Sequence, residues 1–223
     1  QAKGFNSLKM TVGNQALARR DEPRLLGDVI LEDANRVETV RMAAGPEAEL
    51  FIDANCSLDL YHARQLCQMI EPFHIEFFEE PITQNDIRHM AELRSQTTIR
   101  LACGQNEGQA YRFRDMMIAG AVDIIQPNVA ITGGFTQCQK IAALANSFNI
   151  SVDNGGAWPF FNQHLQAGLS NGGLVEYHYS SVEVCKQLYT GLPEPKQGWL
   201  TMTDAPGLGF ELNTAALSHF EID

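Results

Sequence analysis

The sequence predicts an α/β fold: an incomplete (β/α) barrel of the TIM type, with seven strands present. Three observations carry this. Short apolar runs alternate with segments of three-to-four-residue apolar spacing. The runs are mostly continuous, as in strands covered on both faces of a parallel sheet. From the second run onward their centres recur roughly every 25 residues, near the size of one βα unit in a barrel of about 250 residues.

The elements follow in order. The first strand is FNSLKMTV (5–12), followed by a helix over Arg24–Ala44 whose start Gly27 weakens. AELFIDA (48–54) is the second strand, and Leu58–Ile70 the next helix, with Leu60, Ala63 and Leu66 on one face. IEFFEE (75–80) precedes a helix over Ile87–Leu93. TIRLACG (98–104) and VDIIQP (122–127) are the fourth and fifth strands. Phe135–Ser147 is helical, with Ile141, Leu144 and Ala145 spaced for one face. ISVD (150–153) and GLVEY (173–177) complete the seven. No Pro/Ser-rich linker divides residues 1–184, which form the partial barrel domain. Residues 185–223 carry loop signals (GLPEPKQGW, DAPGLGFEL) and form a closing segment. A closed barrel needs eight strands. One is therefore expected upstream of Gln1, where the chain begins without Met.

The composition narrows the partners. With 44% hydrophobic residues, 223 residues suffice for a sizeable core. Asp and Glu number 27 against 16 Lys and Arg, a formal net charge of -11. Such a chain repels a phosphate backbone, which argues against nucleic-acid binding. No apolar run approaches the roughly 18 residues of a membrane span, and the opening QAKGFNSLK lacks an apolar leader core. The five cysteines are scattered without a CxxC pair, against both a zinc ribbon and a disulfide framework. They are expected to be buried or semi-buried thiols in a reducing compartment, the cytoplasm. Open strand edges invite pairing with a second copy, so a homo-oligomer is expected.

In a βα barrel the active site lies at the strand C-termini. Those ends carry Lys9-Met10-Thr11, Asp53-Ala54-Asn55, Glu79-Glu80-Pro81, Gln105 with Glu107, Asn128, Asp153-Asn154-Gly155-Gly156, and Glu176. Asp53, Glu79 and Gln105 are each separated by 26 residues, one unit of chain. Two carboxylates and an amide oxygen, completed by water, suit a hard octahedral cation such as Mg²⁺. Zinc is disfavoured, since no His or Cys stands at these three ends. The competing role for each acid is to cap the following helix. Trp158, Phe160 and Phe161 either line a pocket or pack a helix, and His164 is expected to be a packing residue.

The segments FIDAN, FFEEP, ACGQNEG, AVDIIQP with ITGG, and PGLGFEL resemble the barrel of the mandelate racemase/muconate lactonizing enzyme group in the enolase superfamily. The resemblance covers nearly the whole chain. It implies an N-terminal capping domain and a first barrel strand that are absent here. It also implies Mg²⁺ held by acids at three consecutive strand ends, a base that removes the proton α to a substrate carboxylate, and metal stabilisation of the enediolate. Asp53 and Glu79 match the first two ligands. Glu79 is chosen over Glu80 because the ligand stands two residues before the proline. Gln105 stands where the group usually has an acid, with Glu107 as a substitute or a solvated loop acid.

The proton-moving positions depart from the pattern. Of a Lys-x-Lys motif, Lys9 matches the first lysine and Thr11 replaces the second, the usual base. Asn128 stands at the Asp or Lys position, and Gly155, beside Asn154, where His is usual. Glu176 matches an acid that contacts the substrate carboxylate. Lys9 and Glu176 are thus the catalytic candidates, with Lys9 either a base or a charge-balancing partner. Thr11, Asn55, Asn128 and Asn154 are assigned to substrate binding. The resemblance implies a Mg²⁺-dependent acid-sugar (hydroxy acid) dehydratase or racemase acting on a small-molecule carboxylate. The alternative is a catalytically silent barrel that binds a carboxylate. A different proton carrier, such as Asp153, His164 or His178, would also reconcile the departures.

Overall fold

The structure, a computed structural model, describes residues 4–14, 16 and 24–219. The first three residues of the opening segment and the last four of the closing segment lie outside the described residues. All seven expected strands form: β1 (Ser7–Thr11), β2 (Glu49–Asp53), β3 (Ile75–Glu79), β4 (Arg100–Cys103), β5 (Ile124–Ile125), β6 (Ser151–Asn154) and β7 (Gly172–Val175). They follow chain order in one seven-stranded sheet. Every pairing with a defined register in it is parallel. This is the incomplete TIM-like α/β barrel that the continuous apolar strands predict. The described helices are α1 (Leu26–Ala44), α2 (Leu60–Ile70), α3 (Ile87–Arg94), α4 (Ala110–Ile118), α5 (Gly134–Ser147), α6 (Pro159–Ala167), α7 (Tyr179–Leu188) and α8 (Thr214–His219).

The chain divides into two compact units. The first comprises residues 1–103 and 113–124. Phe51, Phe77, Ala102 and Ile124, one from each of four successive strands, form a buried cluster. Helices α2 and α3 of this unit start where acids cap them. The Asp59 carboxylate accepts the His62 N–H at 2.9 Å, and Asp86 does the same for His89 at 2.9 Å. Helix α1 ends at Gly45, whose φ of 87° few other residues adopt cheaply. Arg41 in its last turn donates to the carbonyls of Ala48, Phe73 and His74 and so pins that end.

The second unit comprises residues 104–112 and 125–223. Phe160, Val182 and Cys185 form its buried aromatic centre, with Trp158, Tyr177, Tyr189, Leu192, Leu200 and Phe210 packed against them. Phe210 meets Phe161 and Tyr189 edge-on, both at 5.2 Å between ring centres. An antiparallel pair, β8 (Tyr189–Thr190) with β9 (Glu211–Leu212), ties the ends of this segment together. These aromatics therefore pack the fold.

All five cysteines are free. Burial pushes the Cys67 thiol from its ordinary 9.0 up to about 12. Below pH 9 the thiol is neutral in both folded and unfolded chains. Above it the unfolded chain ionises first, so stability falls as pH rises from about 9 towards 12. We expect about 1 kcal/mol of loss at pH 10 from this thiol. The urea midpoint should drop between pH 7.5 and 10 by less in Cys67→Ala than in the unmodified chain. Equal drops would remove Cys67 as the cause.

Candidate functional site

In the first unit, the site grows out of strand register. Lys9 pairs with Phe51, and Thr11 with Asp53. Asp53 in turn pairs with Glu79. Side chains alternate along a strand, so Asp53 and Glu79 stand on the same face as Phe51 and Phe77, about 6.6 Å further along. Lys9 begins one step lower, on the level of the phenylalanines, and its stem reaches upward. Its Nζ donates to Glu79 Oε2 at 2.5 Å and lies 3.7 Å from Asp53 Oδ2. Glu79 is fully buried and Asp53 is 6% exposed. One centre of positive charge thus reaches two buried carboxylates from adjacent strands. The donors are hard oxygens, and the same place suits a hard cation. Among the described residues no group of three or more His, Cys, Asp and Glu is disposed to hold a metal.

The loops after β2 and β3 continue the pairing of their strands. Ala54 N–H donates to Glu79 O at 3.0 Å, Cys56 N–H to Glu80 O at 2.8 Å, and Leu58 N–H to Pro81 O at 3.2 Å. Thr83 N–H returns to Leu58 O at 2.9 Å. Glu80, fully buried, takes a left-handed φ of 43° that ends the strand just after Glu79. Its carboxylate accepts from Asn85 Nδ2 at 2.9 Å. Burial, with Glu80 close by, pushes the Cys56 thiol up to about 12. Behind β1, Gly13 N–H donates to the buried Asp33 at 2.6 Å, fastening the turn after Lys9 to α1. Thr11 and Asn55 are exposed, and the Asn55 N–H donates to Asp53 Oδ1 at 2.8 Å.

In the second unit, buried amides dominate. Gln105, Asn128 and Asn154 are all at least nine-tenths buried. Asn128 Nδ2 donates to the carbonyls of Gly155, Gly156 and Ala157 at 2.8, 3.0 and 3.1 Å, while its Oδ1 accepts from Ala130 N–H at 2.9 Å. Asn154 Oδ1 accepts from Glu176 N–H at 3.2 Å. Glu176, one residue past β7, accepts the Ala157 N–H on Oε2 at 2.7 Å. The loop these groups hold is left-handed at Gly156, Ala157 and Trp158, with φ of 73°, 66° and 59°.

The alternative proton carriers have structural partners. His164 Nε2 meets Leu208 O at 3.0 Å, His178 caps α7, and Asp153 accepts the Leu174 N–H at 2.8 Å. Glu107 pairs with Arg112 at 3.2 Å. Asn162 was not legible as a site residue. Its Oδ1 accepts Val129 N–H at 3.0 Å and its Nδ2 donates to Ala157 O and Trp158 O. The available signal was an amide inside the apolar run PFFNQHL.

Comparison with known proteins agrees with this architecture. Residues 1–216 match the family model described as enolase C-terminal domain-like. The D-galactarolactone cycloisomerase of Agrobacterium fabrum (strain C58) is 28% identical over all of this chain and 58% of its own length. A mandelate racemase/muconate lactonizing enzyme from a marine actinobacterium, crystallised with magnesium, is 30% identical with a TM-score of 0.83. That comparison covers 98% of this chain and 58% of that one. The L-talarate dehydratase of Polaromonas sp. JS666, crystallised with Mg and L-glucarate, is 27% identical with a TM-score of 0.84, over 97% and 56% of the two chains. These relatives are enzymes, and the chain spans a little more than half the length of the curated relatives it matches. No helix among the described residues is long and apolar enough to cross a membrane. With its parallel strands in chain order and this match over nearly its full length, the chain belongs to the enolase C-terminal domain-like family.

Proposed function

We propose that this chain supplies the barrel of a magnesium-dependent enzyme that removes the proton α to the carboxylate of a hydroxy acid, as an acid-sugar dehydratase or racemase. The observation that carries this is the buried Asp53–Glu79 pair around one centre of positive charge. Asp53 and Glu79 would hold Mg²⁺. Gln105 is assigned as the third, uncharged donor from its 26-residue spacing and its place after β4. When bound, Mg²⁺ supplies positive charge that attracts the substrate carboxylate and offsets the negative charge developing on it. Lys9 is the titratable group among the matched proton-moving positions, and its Nζ, as the neutral amine after its own ammonium proton has left, is the atom assigned to take the proton. Glu176 is assigned to contact the substrate carboxylate, and Thr11, Asn55 and Asn154 its hydroxyls. A cytoplasmic homo-oligomer is the setting we propose.

A second reading, a silent barrel that binds a carboxylate without turnover, is favoured by one observation. Asn128 and Glu176 both spend hydrogen bonds on holding the 155–157 backbone. Deuterium exchange separates the two. The chain, with Mg²⁺ and a panel of acid sugars including glucarate and arabinonate, is incubated in D₂O and the α-position followed by NMR. We expect exchange with at least one acid, abolished by Lys9→Met. No exchange across the panel would leave the silent barrel standing.

A further inference from the structure

We infer that Asn128 is a positioning residue: through the 155–157 loop it fixes the side chain of Gln105. The inference rests on the metal reading of Gln105 for its functional meaning, but its geometry stands within one compact unit. Asn128, three residues past β5, is fully buried. It spends its two N–H groups on three successive carbonyls, those of Gly155, Gly156 and Ala157. Its oxygen is engaged by the Ala130 N–H, which fixes the amide's orientation. Asn162 grips the same loop from α6, and Glu176 takes its Ala157 N–H.

The clamped loop then bears on Gln105. A Cβ added to Gly156 would lie 3.1 Å from Gln105 Cβ, 3.2 Å from Gln105 Oε1 and 3.3 Å from Asn128 Nδ2. The loop backbone is therefore packed directly against the amide that is assigned to the metal. With φ of 73° at Gly156, a glycine fits both the conformation and the space. The residue at 128 has to be a donor. A carboxylate there would face three carbonyl oxygens and could donate to none of them without carrying a proton. Asn128 thus does not stand in for a missing acid; it holds a surface against which a ligand rests. Groups of this kind typically change metal affinity by about 10- to 100-fold.

The test uses the full chain and two readouts. First, Mg²⁺ affinity is measured by calorimetry in Asn128→Ala, alone and combined with Gln105→Ala. We expect Asn128→Ala to weaken binding about tenfold in the otherwise unchanged chain and by less than about twofold where Gln105 is already removed. A merely structural role would lower the melting temperature while leaving affinity unchanged, or lower affinity equally in both backgrounds; either result overturns the inference. Second, the side-chain amide signals of Gln105 are followed by ¹⁵N NMR in the metal-free chain. Asn128→Ala should shift them, and so should Asn128→Asp, which keeps the shape, removes the donors to the three carbonyls and serves if Asn128→Ala does not fold. Unmoved Gln105 signals in a folded variant overturn the inference. If the unmodified chain binds no Mg²⁺ yet the Gln105 signals move, the metal assignment falls and the positioning stands.

Discussion

Lys9→Met is expected to destabilise the metal-free chain by about 3 kcal/mol, and Mg²⁺ to restore most of that loss. Methionine matches the volume and flexibility of the lysine stem, so packing changes little. The ammonium is what disappears. Glu79 is fully buried and donates nothing of its own when ionised; the Lys9 Nζ at 2.5 Å supports its charge. Removing one partner of a buried pair typically costs about 3–5 kcal/mol, because the other charge stays behind. Asp53, nearby on the neighbouring strand, adds repulsion. We take the low end because the Lys9 side chain keeps 19% of its exposure. Against a typical stability of about 5–15 kcal/mol this is a large fraction. A cation bound by the two carboxylates at 100 times its Kd stabilises the folded chain by about 2.7 kcal/mol. Urea titrations in EDTA and in excess Mg²⁺ check both halves. An unchanged midpoint in EDTA would show that the ion pair contributes nothing to stability.

Asp53→Asn should weaken Mg²⁺ binding by about two orders of magnitude or more, and Gln105→Glu should strengthen it by at least about tenfold. Both follow from ligand charge, which tunes divalent-cation affinity over several decades. Asp53→Asn keeps the shape and keeps an oxygen to accept the Asn55 N–H, which is now bonded to Oδ1 at 2.8 Å. It removes one of two negative charges from the pair. Gln105→Glu adds the acid that the resemblance to the mandelate racemase group leads one to expect at that strand end. Calorimetry on the two variants, in parallel with the unmodified chain, gives opposite signs if the assignment is right. If Asp53→Asn binds as the unmodified chain does, the metal is held elsewhere. If Gln105→Glu changes nothing, Gln105 is no ligand, whatever Asp53 does.

The sheet was legible because parallel strands covered on both faces are written as mostly continuous apolar runs, LFI (50–52) among them. The helices α1, α2, α3 and α5 were legible from apolar spacing. Four others were not, α8 among them, whose six residues are too few to show a period. In α4, Phe113, Met116 and Met117 are the buried residues among arginines and an aspartate, a stripe too short to stand out. Helix α6 opens on Pro159 with consecutive phenylalanines, which show no period. Helix α7 buries only Val182 and Cys185. For the candidate site, equal spacing marked the strand-end residues Asp53, Glu79 and Gln105, since the βα repeat has a near-constant length. The contact of Lys9 with both acids depends on register and on the reach of a flexible stem, neither of which spacing encodes. The clamp of Asn128 on residues 155–157 joins positions 27 to 29 residues apart through backbone carbonyls, and a carbonyl has no letter in a sequence.

The bonds that knit residues 54–58 to 79–83 run between main-chain groups. Substitution at those positions changes side chains and spares the bonds, unless proline removes a donor or a β-branched residue strains the left-handed backbone at Asn55, Cys56 or Glu80. The carboxylates of Asp53 and Glu79 thus sit on a frame that is largely indifferent to the letters around it. In evolutionary terms, the frame and the chemistry it presents can drift separately. A lineage can change the side chains the frame presents and inherit an undisturbed backbone on which to try another reaction or none.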